Sequence, residues 1–541
     1  MLAVVAPRMA LKREQARQRL DFINTGYSYH GASTTKKSLQ GFRDFSASPD
    51  DDITTNLPTL RNRCRSLFQG VPVATGALKT ARTNVVGSGL KMNANVDPDV
   101  LGLTDEQADK LNTQLEREWA LFADSKDCDI ARTCNFNQLQ RLAFLSALMS
   151  GDVFALLPIK KRPGVTYGLC VQLVEADRVC NPYDRPEIDN FRAGIELDEY
   201  GAPIRYHVAK YHPNSLMIGT LNTWTAVDAF GSKTGRRNVL HLMDLERPGQ
   251  RRGVPFLAPV IESLKQLGRY TDAELMAAVV SGLFTAAITS DAPNFDLGEL
   301  GSVDLGDDPD AVSEEGDDPG VALGNGTVIQ LAPGEKLETV NPGRPNAQFD
   351  PFVTAILRQI GASLEIPMEL LVKHFTASYS ASRAALLEAW KLFKTQRTWL
   401  ASDFCQPVYE EWLAEAVARG RIKAPGFFKD PLLRKAYCRA EWNGPAPGQI
   451  DPLKEVNAAV VRVNNCFSTR AKETAELTGG DFDANLRARI KEEKQMRDGE
   501  LIPANSVLET VTDDISQQED QGTEGETGKK PQEGGDTKSG T

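Results

Sequence analysis

Residues Arg247–Ser290 decide the fold of this chain: RPGQRRGVPFLAPVIESLKQLGRYTDAELMAAVVSGLFTAAITS. The stretch opens with a turn rich in proline and glycine, and no proline interrupts it from Val260 to Val280. Pro259 suits the first turn of a helix, where its missing N–H costs nothing. Apolar residues then recur at steps of three and four: Val260, Ile261, Leu264, Leu267, Leu275, Ala278 and Val279. The pattern predicts one helix of roughly 30 Å, at about 1.5 Å per residue.

This predicted helix has two different faces. Its polar face carries five charged residues that would meet water: Glu262, Lys265, Arg269, Asp272 and Glu274. Small residues collect towards its end, from Ala277 to Gly282. A helix of this length must bury its apolar stripe against neighbours, because helical propensity alone does not stabilise it. Those neighbours can come from this chain or from copies of it.

A second helix follows after a β-containing excursion. Residues Phe284–Thr289 and Thr327–Leu331 have strand character, and between them lies a run, 291–320, with 11 Asp/Glu and no Lys or Arg. The run cannot build a core, so we expect an exposed or disordered loop. Asp350-Pro351 then predicts a helix start with Asp350 as N-cap. One face of that helix reads Phe352, Ile356, Ile360 and Leu364. The sequence thus predicts a helical hairpin with a strand-built tip.

The region before the organising stretch predicts an α+β domain. Helical patterns precede Gly151, and strand patterns follow at Val153–Leu157, Thr166–Val174, Gly194–Val208 (a hairpin) and Val239–Met243. Arg61, Arg63 and Arg65 lie on an early helix, where a charged outer face is favoured over contact with DNA. His207, His212 and His241 fit structural roles better than catalytic ones.

The region after the hairpin is helical. A short break, 373–380, precedes a long helix that resumes at Ala381; Pro407 should kink that helix and Gly420 should end it. Asp451-Pro452 predicts another helix, and 481–496 predicts the last one. Beyond about residue 501 the chain is acidic and aperiodic, so we expect disorder.

Composition excludes several classes of function. The net charge of −11 comes from the run 291–320 and the tail, so the remainder is mildly basic and permits loose contact with a polyanion. The 8 cysteines are scattered without CxxC pairs, which indicates reduced thiols and no metal site. The longest apolar run, Leu275–Ile288, is too short to span a membrane. No Walker A, GxSxG, HExxH or EF-hand pattern occurs, so catalytic residues and cofactors are not expected. A structural, assembly-forming protein is favoured.

Four separated segments carry a resemblance to a known family. They are Val239–Asp291, Asn84–Leu90 (NVVGSGL), Gly151–Phe154 (GDVF) and Ser378–Ala384 (SYSASRA). In this order and spacing, the chain resembles the lambda-type portal proteins of tailed bacteriophages from about Tyr29 to about Gly480. Such proteins form rings, commonly of twelve copies, at one capsid vertex; DNA passes through the central tunnel.

The resemblance implies a fold with an α/β wing, a two-helix stem, a small β-containing clip, a long kinked helix and a helical crown. The implied boundaries are a flexible N-terminal arm (1–45), wing (46–256), first stem helix (257–283), clip with its acidic loop (284–349), second stem helix (350–372), tunnel loop (373–383), long kinked helix and wing return (384–450), crown (451–500) and disordered acidic tail (501–541).

The resemblance also implies the site and its partners. The tunnel-loop residues would be Lys373, His374, Phe375, Thr376, Ser378, Tyr379 and Ser380. Stem packing would use Leu264, Leu267, Leu275, Phe352, Ile356 and Ile360. Lys265, Arg269, Asp272 and Glu274 on the first stem helix would line the channel. The implied partners are other copies of the chain, double-stranded DNA read without sequence specificity, the terminase large subunit, major capsid and scaffold proteins, and head-completion or tail-connector proteins, with no membrane. The location would be the virion, after synthesis in the host cytoplasm.

Mixed charge on the predicted channel face suits a sliding polyanion better than an all-basic stripe would, since each phosphate contact strengthens binding. Ordinary loop packing remains an equal reading of the residues 373–380. Two alternatives stay open: a DNA-acting packaging enzyme (a terminase or nuclease subunit) and a capsid adaptor without a channel.

Overall fold

The computed structural model describes residues 12–17, 32–33, 36–42, 46–215, 222–283, 287–290, 335–338, 348–375, 378–448 and 451–499. The chain divides into two compact units, Met1–Pro452 and Leu453–Thr541. Most of the predicted arm, the acidic run 291–320 and the tail 501–541 lie outside the described residues. Every helix among the described residues is too short or too polar to cross a lipid bilayer.

The first unit mixes helices with small antiparallel sheets, as the α+β prediction required. Its α-helices are α1 Pro49–Thr54, α2 Leu57–Gly70, α3 Pro72–Val85, α4 Pro98–Leu101, α5 Asp105–Ala123, α6 Phe136–Ser150, α7 Ile261–Leu283, α8 Phe349–Ser363, α9 Met368–Val372, α10 Tyr379–Leu400, α11 Gln406–Ala418 and α12 Pro431–Tyr437. Its strands are β1 Lys91–Ala94, β2 Asp152–Leu156, β3 Gln172–Glu175, β4 Phe191–Arg192, β5 Ile195–Leu197, β6 Pro203–Ala209, β7 Trp224–Asp228, β8 Val239–Met243, β9 Ala287–Ser290, β10 Glu335–Glu338 and β11 Ala440–Asn443.

The main core of the first unit lies among α2, α3, α5, α6, α10 and α11. Trp119 of α5 is its aromatic centre, with ring centroids 5.1 Å from Phe136 and 5.2 Å from Trp412. Edge-to-face contacts of this kind add to the apolar burial. The pairing of β1 with β11 brings residues 91–94 beside residues 440–443. Strand β11, which follows the long helix, therefore belongs to the same domain as the first 250 residues.

Two sheets lie beside this core. The order β3-β2-β8 forms one, and β4-β5-β6-β7 forms the other over a second, smaller core. The predicted hairpin over 194–208 is confirmed by the antiparallel pair of β5 and β6. The predicted strand Thr166–Val174 is wrong over most of its length, because only its end belongs to β3. The earlier residues make isolated bridges, and Val171 pairs with Asp129.

The organising stretch forms α7, preceded by a short 3-10 turn at Ala258–Val260 that holds Pro259. Antiparallel strands β9 and β10 pair between α7 and α8, with Ser290 opposite Glu335. The predicted strand Thr327–Leu331 lies outside the described residues. Asp350 is not the N-cap of α8: the cap is Gln348, and Asp350 lies in the first turn. A carboxylate there still interacts favourably with the helix dipole.

The long helix after the break is interrupted where proline predicted a kink. Residues Ala401–Cys405 form a π turn between α10 and α11, and the N–H of Gln406 donates to the carbonyl of Ala401. Pro407 follows at once and has no N–H to donate, so the regular hydrogen-bond ladder cannot continue through it. Gly420, with φ of +72°, lies just beyond the end of α11.

The second unit, as far as residue 499, contains three helices: α13 Pro452–Asn464, α14 Arg470–Thr478 and α15 Phe482–Asp498. Asp481 caps α15 by accepting from the N–H groups of Asp483 and Ala484. Arg462 of α13 holds α14 through a two-pronged ion pair with Glu473, at 2.9 and 2.6 Å.

Candidate functional site

We call the turn before α7, together with the first residues of that helix, the root of α7. A contact between two glycines fixes its position. Gly151, with φ of +89°, ends α6, and Gly253 lies in the turn before α7. A Cβ on Gly253 would lie 1.9 Å from the carbonyl oxygen of Gly151, and one on Gly151 would lie 2.3 Å from that of Gly253. The two backbones therefore approach more closely than any side chain permits. Glycine is required at both positions, and the approach ties α7 to the start of β2.

Asp152, directly after that contact, is the charged centre of the root. Its fully buried carboxylate accepts from Arg61 at 2.7 Å, from Arg252 at 2.6 Å and from the N–H of Gly253 at 3.3 Å. Nε2 of His241 lies 3.2 Å from the same carboxylate. Residues from four separate segments thus meet on one anion. A buried ion pair of this kind tolerates no loss of a partner, because the remaining charge would be left uncompensated.

The electrostatics of this cluster set its protonation. Burial alone would raise the pKa of Asp152, but Arg252 and Arg61 hold it well below its usual range. Burial lowers the pKa of Arg61 to about 10, so the guanidinium still carries its charge at neutral pH. Burial also lowers the pKa of His241, despite the hydrogen bond to Asp152. At neutral pH the cluster therefore contains one carboxylate, two guanidiniums and a neutral imidazole.

The expectation of a charged outer face on α2 is wrong for two of its three arginines. Arg61 is buried against Asp152, and Arg65 pairs with Asp177 and Glu175. Only Arg63 is exposed. The spacing of the arginines indicates which face of the helix they share. Whether that face is exposed to solvent depends on carboxylates more than 85 residues away in the sequence.

The predicted stem residues fall into two groups. Leu264, Leu267 and Ile360 are buried, and Ile356 is half-buried. Leu275 and Phe352 are 64% and 51% exposed. All six lie on α7 or α8, and the two helices lie against each other.

Two aromatic residues that the sequence reasoning missed mark the contact between α7 and α8. The Tyr270 ring stacks on Phe349 at 5.6 Å and meets the edge of Phe352 at 5.2 Å. The start of α8 thus meets the middle of α7, and α8 then reaches the turn at Ala258–Val260, so the helices run antiparallel. Tyr270 sits one step off the apolar stripe, but its aromatic character was the available signal.

The polar face of α7 lies where the sequence placed it. Lys265, Arg269 and Asp272 are exposed at steps of four and three, which is one side of a helix. Glu274 is half-buried and has an electrostatic or hydrogen-bonding partner. A helix face with both lysine or arginine and aspartate side chains would both attract and repel a polyanion.

The segment predicted as the tunnel loop follows α9. Lys373, His374, Phe375 and Ser378 are exposed, and Phe375 is 50% exposed. Lys373 has φ of +56°, a left-handed conformation that ends α9. Thr376 lies outside the described residues, and of Tyr379 and Ser380 only their place at the start of α10 is described. A cleft of about 460 Å³ lies near this loop, between the end of α8, α9 and α10.

Among the described residues, one group of side chains has the ligand types and spacing of a cation site. Ligand atoms of Glu175, Asp177 and His212 lie within 4.8 Å of one another. Arg65, however, pairs with both carboxylates and would compete with a metal. Two other histidines make structural contacts with carboxylates: His207 with Glu196 at 2.7 Å and His241 with Asp152 at 3.2 Å.

The chain has recognisable relatives. A family model described as phage portal protein, lambda family, matches residues 35–397. Portal protein B of Escherichia phage lambda is 26% identical over 490 residues, covering 88% of this chain and 91% of the relative. The portal protein of Escherichia phage N15 matches with the same identity and coverage. A probable portal protein of Halomonas phage phiHAP-1 is 22% identical over 76% of this chain and 75% of that protein.

Solved structures show a more distant likeness. The neck of an empty gene transfer agent (GTA) particle, computed with C6 symmetry, matches with a TM-score of 0.40 and 14% identity, over 71% of this chain and 93% of that one. The neck of a native GTA particle, computed with C12 symmetry, matches with a TM-score of 0.38 and 12% identity, over 78% and 93%. The family model, which covers well over half of the residues, supports the assignment: the chain belongs to the lambda family of phage portal proteins.

Proposed function

We propose that twelve copies of this chain form a ring at one capsid vertex, and that double-stranded DNA is packaged and later ejected through its centre. In this proposal the ring has no catalysis of its own. Its partners are the terminase large subunit, major capsid and scaffold proteins, and head-completion or tail-connector proteins. The chain is made in the host cytoplasm and resides in the virion.

The observation that carries the proposal is the apolar surface on the outer half of α7. Leu275, Met276 and Val279 are 64%, 60% and 49% exposed, and Phe352 on α8 is 51% exposed. Four large apolar side chains on one helix pair form the kind of patch that marks an interaction surface. The same helix pair in the next copy supplies an apolar surface of matching length.

In a ring built from this pair, Lys265 and Arg269 lie on α7 before the apolar patch and can face the channel, whereas Asp272, four residues before Met276, borders the patch. Lys265 and Arg269 attract phosphates, whereas Asp272 repels them. Each additional phosphate contact would strengthen binding and slow sliding. Alternating charge lets DNA move past while water and ions fill the gap, which suits transport without sequence recognition.

The remaining parts follow from chain order. In the proposed ring the segment 284–349, which contains the strand pair β9–β10, would form the tip of the helix pair and face the terminase motor. The loop 373–383 would approach the DNA, with Lys373 and His374 placed to meet phosphate. Replacing 373–380 should then give heads that fill poorly or leak DNA; unaffected packaging would favour an adaptor without a channel.

Negative-stain microscopy of the purified full-length protein tests the ring. We expect rings for the wild type and loss of rings for Leu275→Asp, because a carboxylate would be buried between copies. Leu245→Asp is the matched control: Leu245 is 61% exposed, lies outside the helix pair, and its variant should still form rings.

Protein that stays monomeric at high concentration, even with capsid and scaffold proteins present, would overturn the ring. Cleavage of DNA with a divalent metal, or turnover of ATP by this chain alone, would favour a packaging enzyme instead.

A further inference from the structure

The described part of the second unit, residues 453–499, has no core of its own. Among its described residues the only buried ones are Ala459 and Glu473, and Glu473 is buried by its ion pair with Arg462. A three-helix unit of this size normally buries an apolar stripe from each helix. Here the stripes face outward, so the apolar burial that would stabilise these three helices must come from outside residues 453–499.

The apolar stripe of α13 has the spacing of a helix–helix seam. Leu453, Val456, Val460 and Val463 follow one another at steps of three, four and three, the a and d positions of two heptads. Leu453, Val456 and Val460 are 66%, 44% and 45% exposed. Such a seam recognises another helix with an apolar stripe, since each side chain fits between residues of the facing helix.

A second stripe of similar length lies on α15 of the same unit. Phe482, Leu486 and Ile490 recur every four residues, and Leu486 and Ile490 are 44% and 60% exposed. One chain therefore carries two apolar helix surfaces that differ from each other. Two different surfaces that bind each other join copies head to tail, and head-to-tail contacts close into a ring when the rotation between copies closes, as it would in the proposed ring.

We infer that the α13 seam of one copy packs against the α15 stripe of the next copy, so that the second units form a continuous belt around the ring. The inference rests on the proposed ring, in which neighbouring copies are held close and a second contact forms at high effective concentration. The hydrophobic residues beyond residue 500 are Leu501, Ile502, Ala504, Val507, Leu508, Val511 and Ile515; residues 516–541 contain none, so the far tail is a poor occupant of the seam.

A matched pair of substitutions tests the seam. Val460→Asp places a carboxylate in the seam; Val461→Asp makes the same change one residue later, off the seam, at a site that is 57% exposed. We expect the protein concentration at half-assembly, measured by mass photometry of the full-length protein, to rise at least about tenfold for Val460→Asp, because every copy loses a contact. Val461→Asp should assemble like the wild type.

The outcomes separate the belt from the ring. Rings of normal stability from Val460→Asp would overturn the belt and leave the ring standing. A wild type that forms no rings would contradict both. Normal rings from purified Val460→Asp, with assembly failing only when scaffold or capsid protein is added, would assign the seam to that partner instead.

A crosslink tests the pairing directly. In a Cys466→Ser background, which removes the exposed cysteine of this unit, Val460→Cys combined with Ile490→Cys should give a ladder of disulfide-linked multimers on non-reducing gels. Either cysteine variant alone should give no ladder. A disulfide that forms only within single chains would show that the seam closes on its own copy, and would overturn the belt.

Discussion

The two halves of the α7–α8 pair share one pattern and have opposite surroundings. Near the root, Leu264 and Ile360 are fully buried in the core of their own chain. Towards the tip, Leu275 and Phe352 are more than half exposed. The spacing of apolar residues is the same in both halves. An amphipathic pattern therefore indicates which face of a helix is stabilised by burial. Whether the same chain supplies the residues that bury that face depends on the rest of the fold.

The largest loss of stability is expected from removing the buried carboxylate of Asp152 at the root. Asp152→Ala should lower the free energy of unfolding by about 4 kcal/mol, because Arg252 would remain buried without its carboxylate partner and Arg61 would keep only Asp177, at 3.7 Å. Thermal and urea unfolding measure the change. Asp228→Ala, which removes an exposed ion pair with Arg205 at 2.8 Å, should cost no more than about 1 kcal/mol. Equal losses for both variants would contradict the role of the buried cluster.

Leucine truncation compares the two halves directly. Leu264→Ala should destabilise the chain by about 3 kcal/mol, since it empties a fully buried site. Leu275→Ala should change the unfolding free energy of the unassembled chain by less than about 0.5 kcal/mol, because water already reaches that side chain. Urea denaturation below the assembly concentration measures both. Similar losses at the two sites would show that the halves do not differ.

The glycine contact at the root gives a smaller effect. Gly253→Ala should cost about 2 kcal/mol, because a Cβ would collide with the Gly151 backbone and force the turn before α7 to shift. Gly70→Ala introduces a methyl group into open space and should be nearly neutral. Thermal unfolding of the two variants checks the difference. A stable Gly253→Ala protein would mean that the two backbones can separate without loss.

The pH dependence of stability gives the smallest expected effect, and it tests a single residue of the root, His241. Burial lowers the pKa of His241, so the unfolded chain binds the proton more readily than the folded one. The stability from the neutral imidazole is therefore present above the unfolded pKa of about 6.5 and falls as pH drops below it. His241→Gln should reduce the loss of stability between pH 7 and pH 5 by about 1 kcal/mol. His374→Gln, at an exposed site, should leave that loss unchanged.

Local patterns in the sequence predicted most elements of the fold. The apolar residues that recur at steps of three and four predicted α7 almost to its ends, and Pro407 predicted the interruption of the long helix. Both signals act within a few residues of chain. The N-cap at Asp350 and the strand at 166–174 were wrong, since backbone hydrogen bonding and tertiary contacts override single-residue preferences there. The tunnel-loop and channel-lining roles remain predictions.

The sequence by itself determined that this chain has a long amphipathic helix after a glycine-rich turn, a second helix after an acidic excursion, and family motifs in order. Only the tertiary structure decided that Arg61 turns inward to Asp152, that Tyr270 meets Phe349, and that half of the apolar stripe stays exposed. The physical reason is range. Periodicity is a property of neighbouring residues, whereas burial depends on groups brought together across a hundred or more positions of chain.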